Sequence, residues 1–212
     1  MTCNHVLDEE DIKIGKTIEY SLDNDKIKYS IKIDDSRILY TNNNFDFTII
    51  QLRKKEYPDV DSLLEIDEGI LKKKQIKHLN KTSIILLHYP NGKTANVSFG
   101  KIKGIDEDTY TIHHNCGSEK GSSGGPLINN INMKLIGIHK DNEPNTNFNL
   151  GIYVKPVTEY FFNDVKLKKI KDENIFNEKD NYDEEFNNLN NVEMKEIKPI
   201  QNFTFNKKMK IL

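Results

Sequence analysis

Short alternating runs of apolar and polar residues dominate the first three quarters of the chain. Lys13 to Tyr20 and Lys26 to Ile33 alternate with period two, and residues 21–25 between them supply turn formers. Arg37 to Tyr40 and Phe47 to Leu52 follow, separated by Asn42-Asn43-Asn44. A period of two places successive side chains on opposite faces, so these segments predict half-buried antiparallel strands. Residues 54–81 break the pattern. They are charged, contain Tyr57-Pro58, and carry only a weak helical spacing in Leu63, Leu64, Ile66, Ile70 and Leu71. This stretch reads as a connector with one or two helical turns.

The strand signal returns at Ser83 to Tyr89, a continuous apolar run stopped by Pro90, with Asn91-Gly92 as a hairpin turn. Further strands are expected at Ala95 to Phe99, Gly100 to Ile105, Thr109 to His113, Pro126 to Asn129, Met133 to His139 and Gly151 to Val154. Many short strands at this spacing predict barrels or a sandwich. Val157 to Phe162 is expected to start a closing helix. Residues 166–212 are rich in Lys, Glu, Asp and Asn, without a sustained period. They predict a poorly ordered tail with a weak hairpin signal at Phe203 to Ile211.

Composition narrows the class. The chain has 212 residues, 30% charged and 36% hydrophobic, with mean hydropathy −0.68. Lys and Arg number 31 against 33 Asp and Glu, so no generally basic nucleic-acid surface is expected. No apolar run is long enough to span a bilayer and Met1 begins no signal peptide, so the expected setting is cytoplasmic, reducing and away from membranes. Cys3 and Cys116 are the two cysteines. They allow one bridge at most, and composition argues against it.

The candidate chemistry centres on Gly121-Ser122-Ser123-Gly124-Gly125-Pro126. Three glycines around a serine cost backbone entropy and pack nothing. Acyl transfer explains them: the hydroxyl must stand on a tight, uncrowded turn whose amides point at the developing oxyanion. On the hexapeptide alone a glycine-rich surface turn stays open. A serine nucleophile also needs a histidine and a carboxylate. Six histidines are available, among them His5 in Thr2-Cys3-Asn4-His5-Val6-Leu7. Asp46, in Phe45-Asp46-Phe47-Thr48-Ile49-Ile50, is a poorly hydrated carboxylate between aromatics that needs a partner.

Thr2 to Leu7, Phe45 to Ile50 and Gly121 to Pro126 resemble the histidine, aspartate and serine motifs of the trypsin-like (chymotrypsin-fold) serine peptidases. They occur in that family's order, with Asp46 41 residues after His5 and Ser123 77 after Asp46 (123 − 46). Tyr89-Pro90 with Val97 to Gly100 resembles the opening of the second barrel in the disulfide-free branch. Gly151 to Val154 resembles the strand lining the specificity pocket. The likeness covers residues 1 to 162.

It implies an all-β fold of two six-stranded-type antiparallel barrels with a short C-terminal helix. Residues 1–160 would form the peptidase domain: 1–53 a partial first barrel, 54–82 the connector, 83–160 the second barrel, with 161–212 the tail. His5 lies close to the start of the chain, so the first barrel is expected to be incomplete, as in a truncated or degenerate member. The resemblance assigns the attack to Ser123, proton transfer to His5, orientation of the base to Asp46, and the oxyanion hole to the N–H groups of Gly121 and Ser123. No cofactor or metal is expected, and the partner is a protein or peptide substrate. Ser122 stands where many secreted members carry an aspartate that pairs with a new N-terminus, so activation of that kind is not expected.

The strand Leu135 to Lys140 resembles the substrate-pairing strand, which with Ser118 and Gly151 gives the candidate substrate-binding set Ser118, His139, Lys140 and Gly151. His139 in Gly-Ile-His resembles the pocket histidine of glutamyl endopeptidases and picornaviral cysteine proteases, implying Glu or Gln at P1. The competing reading, a histidine packed behind the strand, is the preferred one. His113, His114 and Cys116 lack a second ligand pair spaced for zinc. Cys3 lacks a glycine turn and reads as a small buried thiol rather than a nucleophile. A non-catalytic domain that binds peptides or serves as an interaction module is the alternative to the enzyme.

Overall fold

The computed structural model describes residues 1–21, 28–57, 63–67, 79–155, 157–159 and 210–211. Its centre is a closed antiparallel barrel of six strands: β6 (Ser83–His88), β7 (Asn96–Asp106), β8 (Thr111–His114), β9 (Pro126–Asn129), β10 (Leu135–Asn142) and β11 (Asn149–Tyr153). Around the barrel they run β10-β11-β8-β7-β6-β9. Closure removes the unpaired edges that open sheets must protect. Along β6, Ile84, Leu86 and His88 are buried, while Ser83, Ile85 and Leu87 between them are half-buried. The interior gathers Ile84, Leu86, Ile102, Ile112, Leu127, Leu135 and Tyr153, and each fully buried aliphatic chain contributes about 1.5–3 kcal/mol.

The strands before the barrel form separate pairs. β1 (Thr17–Ser21) pairs with β2 (Lys28–Lys32), and β3 (Leu39–Asn42) with β4 (Phe47–Ile50), both antiparallel. Among the described residues each is a two-stranded sheet, so this half is not a closed barrel. Among the described residues the architecture is all-β, with one closed barrel and two-stranded sheets outside it.

Cys3, Phe47 and Ile49 from the N-terminal half share a buried cluster with Ile138, Ile152 and Val157. Thr2 exchanges backbone hydrogen bonds with Thr48, N to O at 2.9 Å and O to N at 2.8 Å. The segment leading to His5 is thereby fixed alongside β4.

Two strand boundaries differ from expectation. Ala95 to Phe99 and Gly100 to Ile105 join in one 11-residue strand, Asn96–Asp106. Gly100 does not break it; a β-carbon there would lie 2.6 Å from the Cys116 amide, so the glycine answers close strand packing. The predicted strand at Lys13 begins at Thr17 instead.

Part of the stretch read as a connector is pinned. Arg53 and Glu56 hold Asp34 and Arg37, Ile66 bridges Leu135, and β5 (Leu64–Glu65) pairs with β12 (Lys210–Ile211). Of the positions that carried the helical spacing, Leu64 lies in β5 and Ile66 in the bridge rather than in a helix, while Ile70 and Leu71 lie outside the described residues. So does the tail at 161–209. Residues 154–155 and 157–159 are helical. No helix among the described residues is long and apolar enough to cross a membrane. Both cysteines are free and buried.

Candidate active site

The serine turn sits at the entrance to β9. Gly121 (φ 86°) and Gly124 (φ 84°) adopt left-handed backbone that side chains disfavour, which is the local reason for the glycines. Ser122, 1% exposed, fastens the turn: its Oγ accepts the Glu119 N–H at 3.0 Å and faces His88 Nδ1 at 2.7 Å. His88 Nε2 is buried without a hydrogen-bond partner among the described residues. Burial lowers the basicity of His88, in keeping with a neutral ring.

His5 and Asp46 meet directly. The carboxylate accepts the His5 backbone N–H (Oδ1, 2.9 Å) and faces His5 Nδ1 at 3.1 Å through Oδ1 and 2.9 Å through Oδ2. Asp46 is 7% exposed, so water competes little for it. It adopts φ 55° at the start of β4, a conformation in which non-glycine residues are uncommon and Asp among the better tolerated. Fixing Nδ1 as the donor leaves Nε2 as the basic nitrogen, the tautomer a general base needs. The His5 side chain is 48% exposed, so a substrate can reach it.

Ser123 Oγ donates to the Lys140 carbonyl at 3.0 Å. Lys140 Nζ lies 3.7 Å from Asp46 Oδ2, so one residue touches both the serine and the aspartate. Gly124 abuts Thr2, and its N–H donates to the His139 carbonyl at 2.8 Å. The serine turn and the histidine segment are thus neighbours. The N–H groups of Gly121 and Ser123 make no hydrogen bond to another described residue.

The remaining predicted residues lie in or against β10 and β11. Ser118 Oγ donates to Asn142 Oδ1 at 2.9 Å, and Gly151 pairs with His139 across β10 and β11. His139 is 2% exposed and His114 fully buried. The Cys116 N–H donates to His114 Nδ1 (3.3 Å), so the His114 proton is on Nε2, which faces His139 Nδ1 at 3.2 Å. That relay puts the His139 proton on Nε2. Burial, with the neighbouring histidines, holds His139 down at about 4 and His114 at about 3, and both rings stay neutral at pH 7.

Cys3 Sγ donates to the His139 carbonyl at 3.2 Å, and burial, then the Asp46 charge, pushes the thiol up to about 12. A thiol so held is a poor nucleophile. Sequence reasoning missed the Lys140–Asp46 contact, the Ser122–His88 bond and the His114–His139 relay. Each joins residues at least 25 apart in sequence, where no local pattern carries a signal.

No curated protein matches the sequence. Among solved structures the fold is similar to a serine endoprotease from Yersinia pestis, with TM-score 0.54 and 16% identity over 74% of this chain. The similarity spans 50% of that protein, so this chain accounts for about half its length. It is also similar to the Rv3671c protease in an inactive form, with TM-score 0.50, 18% identity and 74% of each chain covered. Residues 1–138 match the family model for the trypsin-like peptidase domain, and with the barrel and the motif order in place, this chain belongs to the trypsin-like peptidase family.

Proposed function

We propose that the chain is a serine endopeptidase that hydrolyses peptide bonds through Ser123, His5 and Asp46. The observation that carries this reading is the Asp46 carboxylate gripping His5 through both its backbone N–H and its Nδ1. His5 Nε2 takes the Ser123 proton as Oγ attacks the scissile carbonyl, and returns it to the leaving amine. Asp46 stabilises the imidazolium formed in between. The oxyanion is received by the Gly121 and Ser123 N–H groups, each contributing about 3 kcal/mol in sites of this type. Water then hydrolyses the acyl-enzyme by the same proton route. No metal or cofactor enters these steps.

The bond from Ser123 Oγ to the Lys140 carbonyl favours a second reading, a domain that binds peptide segments without cutting them. In the catalytic reading this bond is the resting arrangement, broken by rotation about the Ser123 side chain when substrate arrives. For specificity, the 2% exposure of His139 favours a packing role. The relay nevertheless leaves it a neutral N–H donor suited to the side-chain oxygen of a P1 Glu or Gln, with Ser118 as a second hydroxyl and Lys140 and Gly151 on the substrate-pairing strands. A positional-scanning peptide library tests both levels. New peptide termini that vanish with Ser123→Ala support the enzyme, and none at all from folded protein favours the binding module. An Arg or Phe preference at P1 removes the role for His139.

A further inference from the structure

We propose that Cys3, His5 and Asp46 form a zinc-binding site, and that filling it switches the peptidase off. Cys3 Sγ, a ring nitrogen of His5 and a carboxylate oxygen of Asp46 all lie within 4.8 Å of one another, and Nδ1 is the His5 nitrogen that faces Asp46. Thiolate, imidazole and carboxylate together are a zinc donor set, and three protein ligands leave a fourth position for water. The frame is rigid. Cys3 and Phe47 belong to one buried cluster, and the Thr2–Thr48 hydrogen bonds clamp the two segments that carry the ligands. Tetrahedral bonds of about 2.0–2.3 Å need donors spaced somewhat wider than the 2.9 Å now separating His5 Nδ1 from Asp46 Oδ2. A small outward movement of the half-exposed His5 ring supplies that spacing and opens the way for the ion.

The protons balance simply. Cys3 gives up its thiol proton to solvent as the sulfur turns from the His139 carbonyl to the metal. His5 keeps one proton, which moves to Nε2 as Nδ1 takes the ion. Zinc with one thiolate and one carboxylate is locally neutral. Lys140 Nζ, 3.7 Å from Asp46 Oδ2, is the cation that opposes entry, so it sets the affinity.

Inhibition follows from the tautomer. With Nδ1 on zinc and Nε2 protonated, His5 has no lone pair to accept the Ser123 proton. This consequence rests on His5 being the base; the binding of the ion does not. The Ser123 turn itself is untouched.

The test uses the full chain with cobalt chloride as a spectroscopic probe and zinc chloride as competitor, measuring fluorophosphonate labelling in parallel. One equivalent of cobalt is expected to give a near-ultraviolet thiolate-to-metal band that zinc abolishes. The band disappears in Cys3→Ser and persists in Cys116→Ser. Zinc suppresses labelling in proportion to occupancy, and a chelator restores it. In Cys3→Ser the zinc concentration for half-suppression rises at least about tenfold, since losing even an outer-shell partner commonly costs that much. Lys140→Met tightens zinc binding. A folded wild-type chain without the thiolate band overturns the site. Zinc suppression equal in wild type and Cys3→Ser overturns the switch. A thiolate band in a protein that never labels, with or without metal, keeps the site and removes the peptidase reading instead.

Discussion

A β-carbon on Gly124 would stand 2.4 Å from the Thr2 Oγ1. The serine turn and the segment that delivers His5 are therefore keyed together with no room between them. Gly124→Ala both adds this clash and forces alanine to φ 84°, and positions of this kind cost about 1–3 kcal/mol. The expected outcome is a stability loss of that order, seen in urea unfolding, with Ser123 labelling slowed more than the stability loss explains. Removing the Thr2 hydroxyl leaves the nearest atom at 3.4 Å, so Thr2→Ala in the same chain should recover part of both losses. The backbone strain remains.

In the catalytic reading Asp46 acts on turnover through His5. Asp46→Asn keeps the shape but presents an amide, which favours the wrong imidazole tautomer. In triads of this design that substitution lowers turnover by about 10⁴-fold. A comparable fall in kcat, with KM little changed, is the expected result from steady-state cleavage of a peptide substrate.

Acid should unfold this barrel early. His139 and His114 have folded values near 4 and 3 against about 6.5 when unfolded, and burial pushes His88 in the same direction. Below pH 6.5 the unfolded chain binds protons that the folded chain refuses, so stability falls as pH drops. The stabilisation is complete above pH 6.5 and is lost progressively toward pH 3. For His139 the loss at pH 4 is on the order of 3 kcal/mol. Melting temperature against pH checks this, and His139→Gln should flatten the slope between pH 6.5 and 4.

Arg37 is buried and grips Glu56 with two nitrogens, Nη1 to Oε2 at 2.8 Å and Nη2 to Oε1 at 2.5 Å. The Arg37 side chain is fully covered and that of Glu56 is 14% exposed. Removing one partner leaves a buried charge, which costs about 3–5 kcal/mol. Arg37→Met should therefore destabilise the chain by roughly that amount. Replacing both residues with apolar ones should cost less than either single change. Urea midpoints of the two singles and the double decide it.

Much of the fold was legible because the barrel strands declare themselves locally. Ile84 to Leu87 is an unbroken apolar run, and Pro126 to Asn129 follows the glycine turn directly. The serine turn was legible for the same reason, since its glycines serve no packing purpose. His5 and Asp46 could be paired only through motif likeness, because a bond across 41 residues leaves no periodic trace. Arg37 read as the first residue of a strand and Glu56 as part of a charged connector. Their union depends on the β3–β4 hairpin between them bringing both ends together, which composition does not encode. The Lys140 contact with Asp46 was hidden similarly: its strand was recognised, but the reach of a four-carbon side chain was not.

The most direct test of the central claim is the rate at which a fluorophosphonate modifies Ser123 in the folded chain, followed by intact mass and peptide mapping. The account predicts one adduct on Ser123, absent in Ser123→Ala and formed at least about 10³-fold more slowly in His5→Ala. A folded wild-type protein that takes up no probe, or an adduct that persists in Ser123→Ala, would contradict it.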